Sequence, residues 1–213
     1  KQTQVMEVSL KEHRSRVWSI QVSKDSSQAV SASSDGSCIL WDLRKHSRLL
    51  CMFETTAFKQ ALLNTEEYQV LTVGSDRKIT YWEKFDGQII RSLEGSEKEL
   101  STLDITAEGK HFISGGQDGI LRIWNYDEGI CYFSAEGHSG SINKLKISPD
   151  QKKIVTVGSE GAIFLWDMPA SILGDKVDPE LPTLTKQEKV EEKSVKGSIK
   201  GSVKGSVKST IKK

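Results

Sequence analysis

The sequence predicts an all-β fold, a β-propeller of four blades followed by a basic tail, and three observations predict it. An acidic residue stands six positions before a tryptophan four times over: Asp35 and Trp41, Asp76 and Trp82, Asp118 and Trp124, Glu160 and Trp166. Those tryptophans are 41, 42 and 42 residues apart, the period of a four-stranded unit repeated around a propeller rather than along a helical solenoid. The segments between them are short alternating apolar runs separated by turn residues, which is how antiparallel strands read.

The first unit spans residues 13–54. VWSIQV (Val17 to Val22) alternates with period two, AVSAS (Ala29 to Ser33) is small and half apolar, and CILWDL (Cys38 to Leu43) and LLCMFE (Leu49 to Glu54) complete four strands. The units at 55–95 and 96–136 repeat the order. In the third, LSTLDIT, HFISG, ILRIWN and ICYFSA are joined by AEGK, GQDG and YDEG, each with a glycine free to take positive φ in a tight turn. The fourth unit, 137–168, has room for three strands only, because Met168-Pro169-Ala170 follows Trp166 and proline donates no ladder hydrogen bond. Residues 4–10, QVMEVSL, read as one more strand, either closing a small ring or belonging to a preceding blade of a larger propeller; the resemblance given below, to a family whose propellers commonly hold seven blades, implies the larger one, and an open arc of four would expose two apolar blade faces.

Within each unit the six-residue spacing suits a hydrogen-bonded lock. An acid in the turn between the second and third strands accepts from a histidine before the first strand. That histidine reaches a hydroxyl on the second strand, and the hydroxyl meets the tryptophan indole. The parts are His13, Ser31 or Ser33, Asp35 and Trp41 in the first unit, and His138, Thr156 or the Gly158-Ser159 pair, Glu160 and Trp166 in the fourth. Both histidines precede their acid by 22 residues; the same offset falls on Glu54 in the second unit and Ser96 in the third, so those blades lack the histidine link and are expected to be softer.

Composition narrows the function classes. The chain is 36% hydrophobic and 28% charged, without an apolar run near the roughly eighteen residues a membrane span needs, or a start resembling a signal peptide, so it reads as an intracellular protein. Cys38, Cys51 and Cys131 lack the paired spacing of a zinc site and are expected as reduced thiols buried in or near strands. His13, Ser31 and Asp35 resemble a catalytic set in residue type alone; no nucleophile elbow accompanies them, no phosphate loop or dinucleotide fingerprint occurs, and neither enzyme chemistry nor a cofactor or metal is expected. His46 and His111 stand alone. Residues 171–213 read as a linker and a disordered tail, SVKGSIKGSVKGSVKSTIKK, with nine lysines and three glutamates from Lys186 onward. Its +6 charge attaches to a body of −5. Such a tail attracts acidic surfaces in a salt-sensitive way, and without aromatics it offers nucleic-acid bases no stacking platform.

Binding is therefore the expected activity, from loops held on a rigid frame. Ser34, Ser75, Gln117 and Ser159, each just before the acidic turn, are expected on one face, with Arg14, Arg16 and Trp18 at the start of the first inner strand.

The Trp41-Asp42 and Trp166-Asp167 pairs, with Trp82-Glu83 and Trp124-Asn125 as departures, resemble the blade ends of the WD-repeat β-propeller family. The segments DRKITYWEKFDGQIIRSLEGS, DITAEGKHFISGGQDG and EGHSGSINKLKIS are similar to the C-terminal blades of ciliary and flagellar members of that family, over roughly His13 to Trp166. That resemblance implies a structural component of the axoneme on the inner wall of doublet microtubules, with tubulin and neighbouring inner proteins as partners. A soluble adaptor recruiting signalling, trafficking or ubiquitin-ligase partners is the alternative, since fold alone does not choose.

Overall fold

The structure is a computed structural model that describes residues 7–173. It holds four antiparallel sheets, each built from strands consecutive in the chain. The first blade comprises β1 (Val17–Val22), β2 (Gln28–Ser33), β3 (Ser37–Asp42) and β4 (Ser47–Phe53). The second has β5 (Phe58–Leu63), β6 (Gln69–Gly74), β7 (Lys78–Glu83) and β8 (Ile89–Glu94). The third has β9 (Leu100–Ile105), β10 (His111–Gly116), β11 (Ile120–Asn125) and β12 (Cys131–Glu136). The fourth has three strands among the described residues, β13 (Ile142–Ile147), β14 (Lys153–Gly158) and β15 (Ile163–Asp167), and the chain then turns into α1 (Ala170–Leu173).

Position within the blade explains the sequence of each strand. The middle strands β2, β6 and β10 are covered on both faces and buried almost throughout, so AVSAS, VLTVG and FISGG carry apolar or small residues and no charge. Outer strands β4, β8 and β12 are mostly exposed and admit charge. The inner strands β1, β5, β9 and β13 stand side by side in that order. Apolar cores fill the three seams: Val30, Leu40 and Met52 meet Phe58 and Trp82; Leu71 and Tyr81 meet Leu103 and Phe112; Ile113 and Leu121 meet Leu145 and Ile154. Among the described residues no core joins the fourth blade to the first. The faces at that seam are open, with Ile20 67% exposed on β1 and Leu165 69% exposed on β15.

Side chains of the inner strands tie each blade to the backbone of the next. Ser19 Oγ accepts from Ala61 N–H at 3.1 Å and Gln21 Oε1 from Leu63 N–H at 2.7 Å. Gln60 Nε2 donates to the Leu103 carbonyl at 2.6 Å. Thr102 Oγ1 accepts from Leu145 N–H at 3.2 Å and Asp104 Oδ2 from Ile147 N–H at 2.8 Å. Neighbouring inner strands diverge too far for a continuous ladder, and these polar side chains satisfy groups that would otherwise be orphaned in the seam.

Three expectations need correction. Cys38 is buried, but Cys51 and Cys131 are exposed, because they lie on outer strands whose second face no sheet covers; all three are free. Within the segment read as a strand from 4 to 10, residues 7–10 have no regular structure, because no ladder pairs them, and 4–6 lie outside the described residues. The segment read as linker from 171 opens in a short helix, Ala170–Leu173, closed by bonds from Ile172 and Leu173 N–H to the Pro169 carbonyl, with Ile172 packed against the last core; the rest of the tail lies outside the described residues.

The turns of AEGK, GQDG and YDEG take positive φ at Gly109, Gly119 and Gly129. The turn after the middle strand does so at Gly36, Gly119 and Gly161, but at Arg77 in the second blade, with φ of 67°. A non-glycine residue there carries roughly 1–2 kcal/mol of steric cost. Arg77→Gly is therefore expected to stabilise the protein by up to about 1 kcal/mol, read as a higher urea midpoint with an unchanged m value.

Candidate functional site

All four tryptophan indoles find a hydroxyl on the middle strand. Trp41 Nε1–H donates to Ser31 Oγ at 2.8 Å, Trp82 to Thr72 Oγ1 at 2.8 Å, Trp124 to Ser114 Oγ at 2.9 Å and Trp166 to Thr156 Oγ1 at 2.8 Å. Ser31 is the acceptor in the first blade; Ser33 Oγ instead accepts from Asp35 N–H at 3.3 Å. Thr72 and Ser114 had no place in the sequence reading, although both lie ten residues before their tryptophan, as Ser31 and Thr156 do.

The histidine and acid complete this arrangement differently from blade to blade. His13 Nε2 lies 2.7 Å from Ser31 Oγ, and its Nδ1 lies 2.8 Å from Ser37 Oγ and 3.4 Å from Asp35 Oδ2. Ser37 Oγ–H donates to Asp35 Oδ1 at 2.6 Å, so an unforeseen serine shares the link between ring and acid. In the fourth blade His138 bonds directly, Nδ1 to Glu160 Oε1 and Nε2 to Thr156 Oγ1 at 2.7 Å. Nδ1 of each ring faces an acceptor, Glu160 Oε1 in the fourth blade and, in the first, Ser37 Oγ, whose own proton goes to Asp35; that assigns a ring proton to Nδ1 and leaves Nε2 of the neutral ring to accept from the hydroxyl under the indole. Gly158 leaves the space, for a Cβ there would stand 2.4 Å from His138 Nδ1.

Ser96 takes the histidine position in the third blade and donates to Asp118 Oδ2 at 2.7 Å, joined by Arg122 Nη1 at 2.6 Å. Glu54 takes it in the second, where its buried Oε2 has no partner among the described residues. Asp76 there accepts, among the described residues, only from Lys78 N–H, at 3.3 Å, while its own N–H donates to Thr56 Oγ1. Burial pushes the Asp35 carboxyl up, but bonds from Ser37 and the Arg14 and Ser37 amides outweigh it and hold the group well below its ordinary 3.8. Asp118 is lowered in the same way, with burial opposed by Ser96 and Arg122.

The seven residues expected to meet a partner fall into two sets. Ser34, Ser75, Gln117 and Ser159 each donate their backbone N–H to the residue before an inner strand, Arg16, Ala57, Glu99 and Ser141 respectively, which places them equivalently at one end of each blade. The Ser75 and Ser159 hydroxyls turn back into that loop, accepting from Ala57 and Ser141 N–H, and Gln117 Nε2 donates to Glu99. Around the first blade the structure gathers the rest. Trp18 Nε1–H donates to Ser34 Oγ, the Arg16 guanidinium lies 4.9 Å from the Trp18 ring centroid, and Arg14 N–H donates to Asp35 Oδ2 at 2.6 Å. Lys59, missed in the sequence, places Nζ 4.1 Å from the same centroid from the second blade. Its signal was its interval of 41 residues from Trp18, the interval between the first two blade tryptophans.

Ser31 is 3% exposed and its hydroxyl is committed to the indole and the imidazole, so His13, Ser31 and Asp35 act as a brace within the blade. Two outcomes follow. Thr72→Val keeps shape but orphans the Trp82 N–H, and is expected to cost about 1–3 kcal/mol in urea unfolding. Because the folded Asp35 carboxyl is depressed, the stability it supplies is present above its unfolded value and is lost as pH falls through the range below 3.8. Asp35→Asn is expected to flatten that acid limb when unfolding midpoints are followed from neutral pH downward.

Comparison with known proteins agrees with this architecture. The profile of the WD domain, G-beta repeat matches residues 4–42, 87–125 and 129–167, together more than half of the chain. Glu54, in the histidine position of the second blade, and Arg77, in its turn, lie outside the matched segments. The chain is 48% identical over 116 residues to cilia- and flagella-associated protein 52 of Mus musculus and 47% to that of Homo sapiens, each match covering 54% of this chain and 19% of the relative. To the protein of that name in Chlamydomonas reinhardtii it is 44% identical over 115 residues. The matched stretch thus spans about a fifth of the length of these relatives. With four tryptophan-locked sheets in propeller order and the profile matched over three segments, the chain belongs to the WD domain, G-beta repeat family.

Proposed function

We propose that this chain is a non-enzymatic scaffold of the ciliary axoneme, a structural component held on the inner wall of doublet microtubules through contacts with tubulin and neighbouring inner proteins. The observation that carries the reading is the 44–48% identity to cilia- and flagella-associated proteins from mammals and from Chlamydomonas reinhardtii. The blade chemistry supports it, since the histidines and acids of the first and fourth blades bond within their own sheets. What remains outward is a rigid frame with loops at its ends, suited to binding partners without turnover.

Fractionation of detergent-extracted, salt-washed axonemes, probed with an antibody against the KGSV tail, tests this. The protein is expected to stay with the doublets through high salt and to leave only when the tubules dissolve. Release into the soluble pool at moderate salt would overturn the proposal and assign the chain to the soluble adaptors. Replacing the lysines between Lys186 and Lys213 with glutamine is expected to leave retention unchanged, which separates binding by the blades from attraction by the tail.

A further inference from the structure

Every inner strand carries a β-bulge at the same place. The ladder to the middle strand skips between Val17 and Ser19, Phe58 and Gln60, Leu100 and Thr102, and Ile142 and Lys144. The extra residues are Trp18, Lys59, Ser101 and Asn143, one per blade, at the intervals of the blade tryptophans. A bulge takes a residue out of the ladder and re-aims its side chain, and bulges recur beside functional surfaces. In three blades the re-aimed residue is polar. In the first it is a tryptophan.

Trp18 differs from the four blade tryptophans. It is 43% exposed, where Trp41, Trp82 and Trp124 are at most 6% exposed. Its indole N–H is satisfied by Ser34, so the ring is held in place while the residue stays accessible. Arg16 and Lys59 flank the ring at 4.9 and 4.1 Å from the centroid. Among the described residues neither these two cations nor Arg14 has a carboxylate within ion-pair distance, so all three charges are free to meet a partner's. Two positive charges thus lie over one ordered aromatic, and Arg14, whose backbone N–H meets Asp35, adds a third cation to this end of the blade, on a body whose net charge is −5.

We propose that this end of the first two blades is a docking surface for an extended acidic protein segment, with carboxylates on Arg14, Arg16 and Lys59 and an apolar or planar group laid on Trp18. Charge complementarity names the partner. Carboxylate pairs with arginine gain from bidentate geometry, and a cation-flanked tryptophan is the composition that dominates interface energetics. The chain's own basic tail is excluded as occupant by its +6 charge. A nucleic-acid strand fits less well, since it calls for successive stacking platforms and the neighbouring bulge positions are Lys59, Ser101 and Asn143.

The proposal deepens the scaffold reading by naming the chemistry of one partner, yet its test is separate from axonemal retention. Full-length protein is titrated with fluorescein-labelled oligoglutamate and with oligoglutamine of the same length, following anisotropy of the peptide and acrylamide quenching of tryptophan emission. Oligoglutamate is expected to bind and to shield the quenchable emission, which Trp18→Phe removes. Arg16→Gln with Lys59→Gln is expected to weaken binding about ten-fold, at an unchanged urea midpoint. Glutamine at Lys196, Lys200, Lys204 and Lys208 is expected to leave the shielding in place. Affinity that follows the tail lysines, quenching indifferent to the peptide, or tighter binding of oligothymidylate would each overturn the proposal. If the surface fails here while the protein stays on salt-washed doublets, the acidic partner is wrong and the scaffold stands; if the protein leaves the doublets with peptide binding intact, the acidic partner stands and the scaffold is wrong.

Discussion

A tryptophan indole buried between two sheets carries one N–H that water cannot reach, and the blades are organised around giving it an acceptor. The ring supplies large apolar area to the seam, as Trp82 does against Phe58 and Trp124 against Phe112, but only if its polar edge is satisfied. A serine or threonine ten residues earlier, on the adjoining strand, meets that need in all four blades. The hydroxyl has a proton of its own to place. In the first and fourth blades it goes to a histidine, whose second nitrogen then leans on the acid of the next turn. One buried donor thus orders a strand pair, a turn and the loop entering the blade.

The same economy of polar groups operates between blades. Four sheets radiating from inner strands cannot share one ladder, so Ser19, Gln21, Gln60, Thr102 and Asp104 close the gap with side chains. Lys144 extends this pattern from the fourth blade to the second, donating to Gln60 Oε1 at 2.6 Å. Its pKa is lowered, by burial first and by Lys146 second. Ser19, Gln21, Thr102 and Asp104 lie at the polar positions of alternating strands, and their hydrogen bonds to the next blade mark seams rather than sites.

The periodic parts of this fold were legible because they repeat. Acid, tryptophan and turn recur with fixed offsets, and strand order follows from them. Whatever depends on which of two neighbouring residues faces inward was not. Ser31 and Ser33 are two apart and share a face, and only register separates the one under the indole from the one at the turn. Ser37 entered the first lock because its hydroxyl lies within reach of both His13 and Asp35, a three-body fact that pairwise offsets miss. The bulges were hidden as well, since one extra residue in an inner strand leaves the period between units unchanged. That is why Trp18 and Arg16 were nameable from the sequence, while Lys59, from another blade, was not.

Counting histidine links, as the sequence invites, measures cohesion within a sheet and leaves out cohesion between sheets. The second and third blades lack the histidine, and they meet across an aromatic seam with its own polar lock. Tyr81 O–H donates to the Tyr126 carbonyl at 3.1 Å, Tyr126 O–H donates to Gln69 Oε1, and the Arg91 guanidinium sits 4.2 Å from the Tyr81 ring centroid. Burial pushes the Tyr81 hydroxyl up to about 12, so it stays a donor at any physiological pH. In the first and fourth blades the order lies inside the sheet, where His13 and His138 brace a loop; in the middle pair it lies in the seam. A blade's resistance to opening depends on both, and the middle pair has a covered seam on either side while each outer blade has one open face among the described residues.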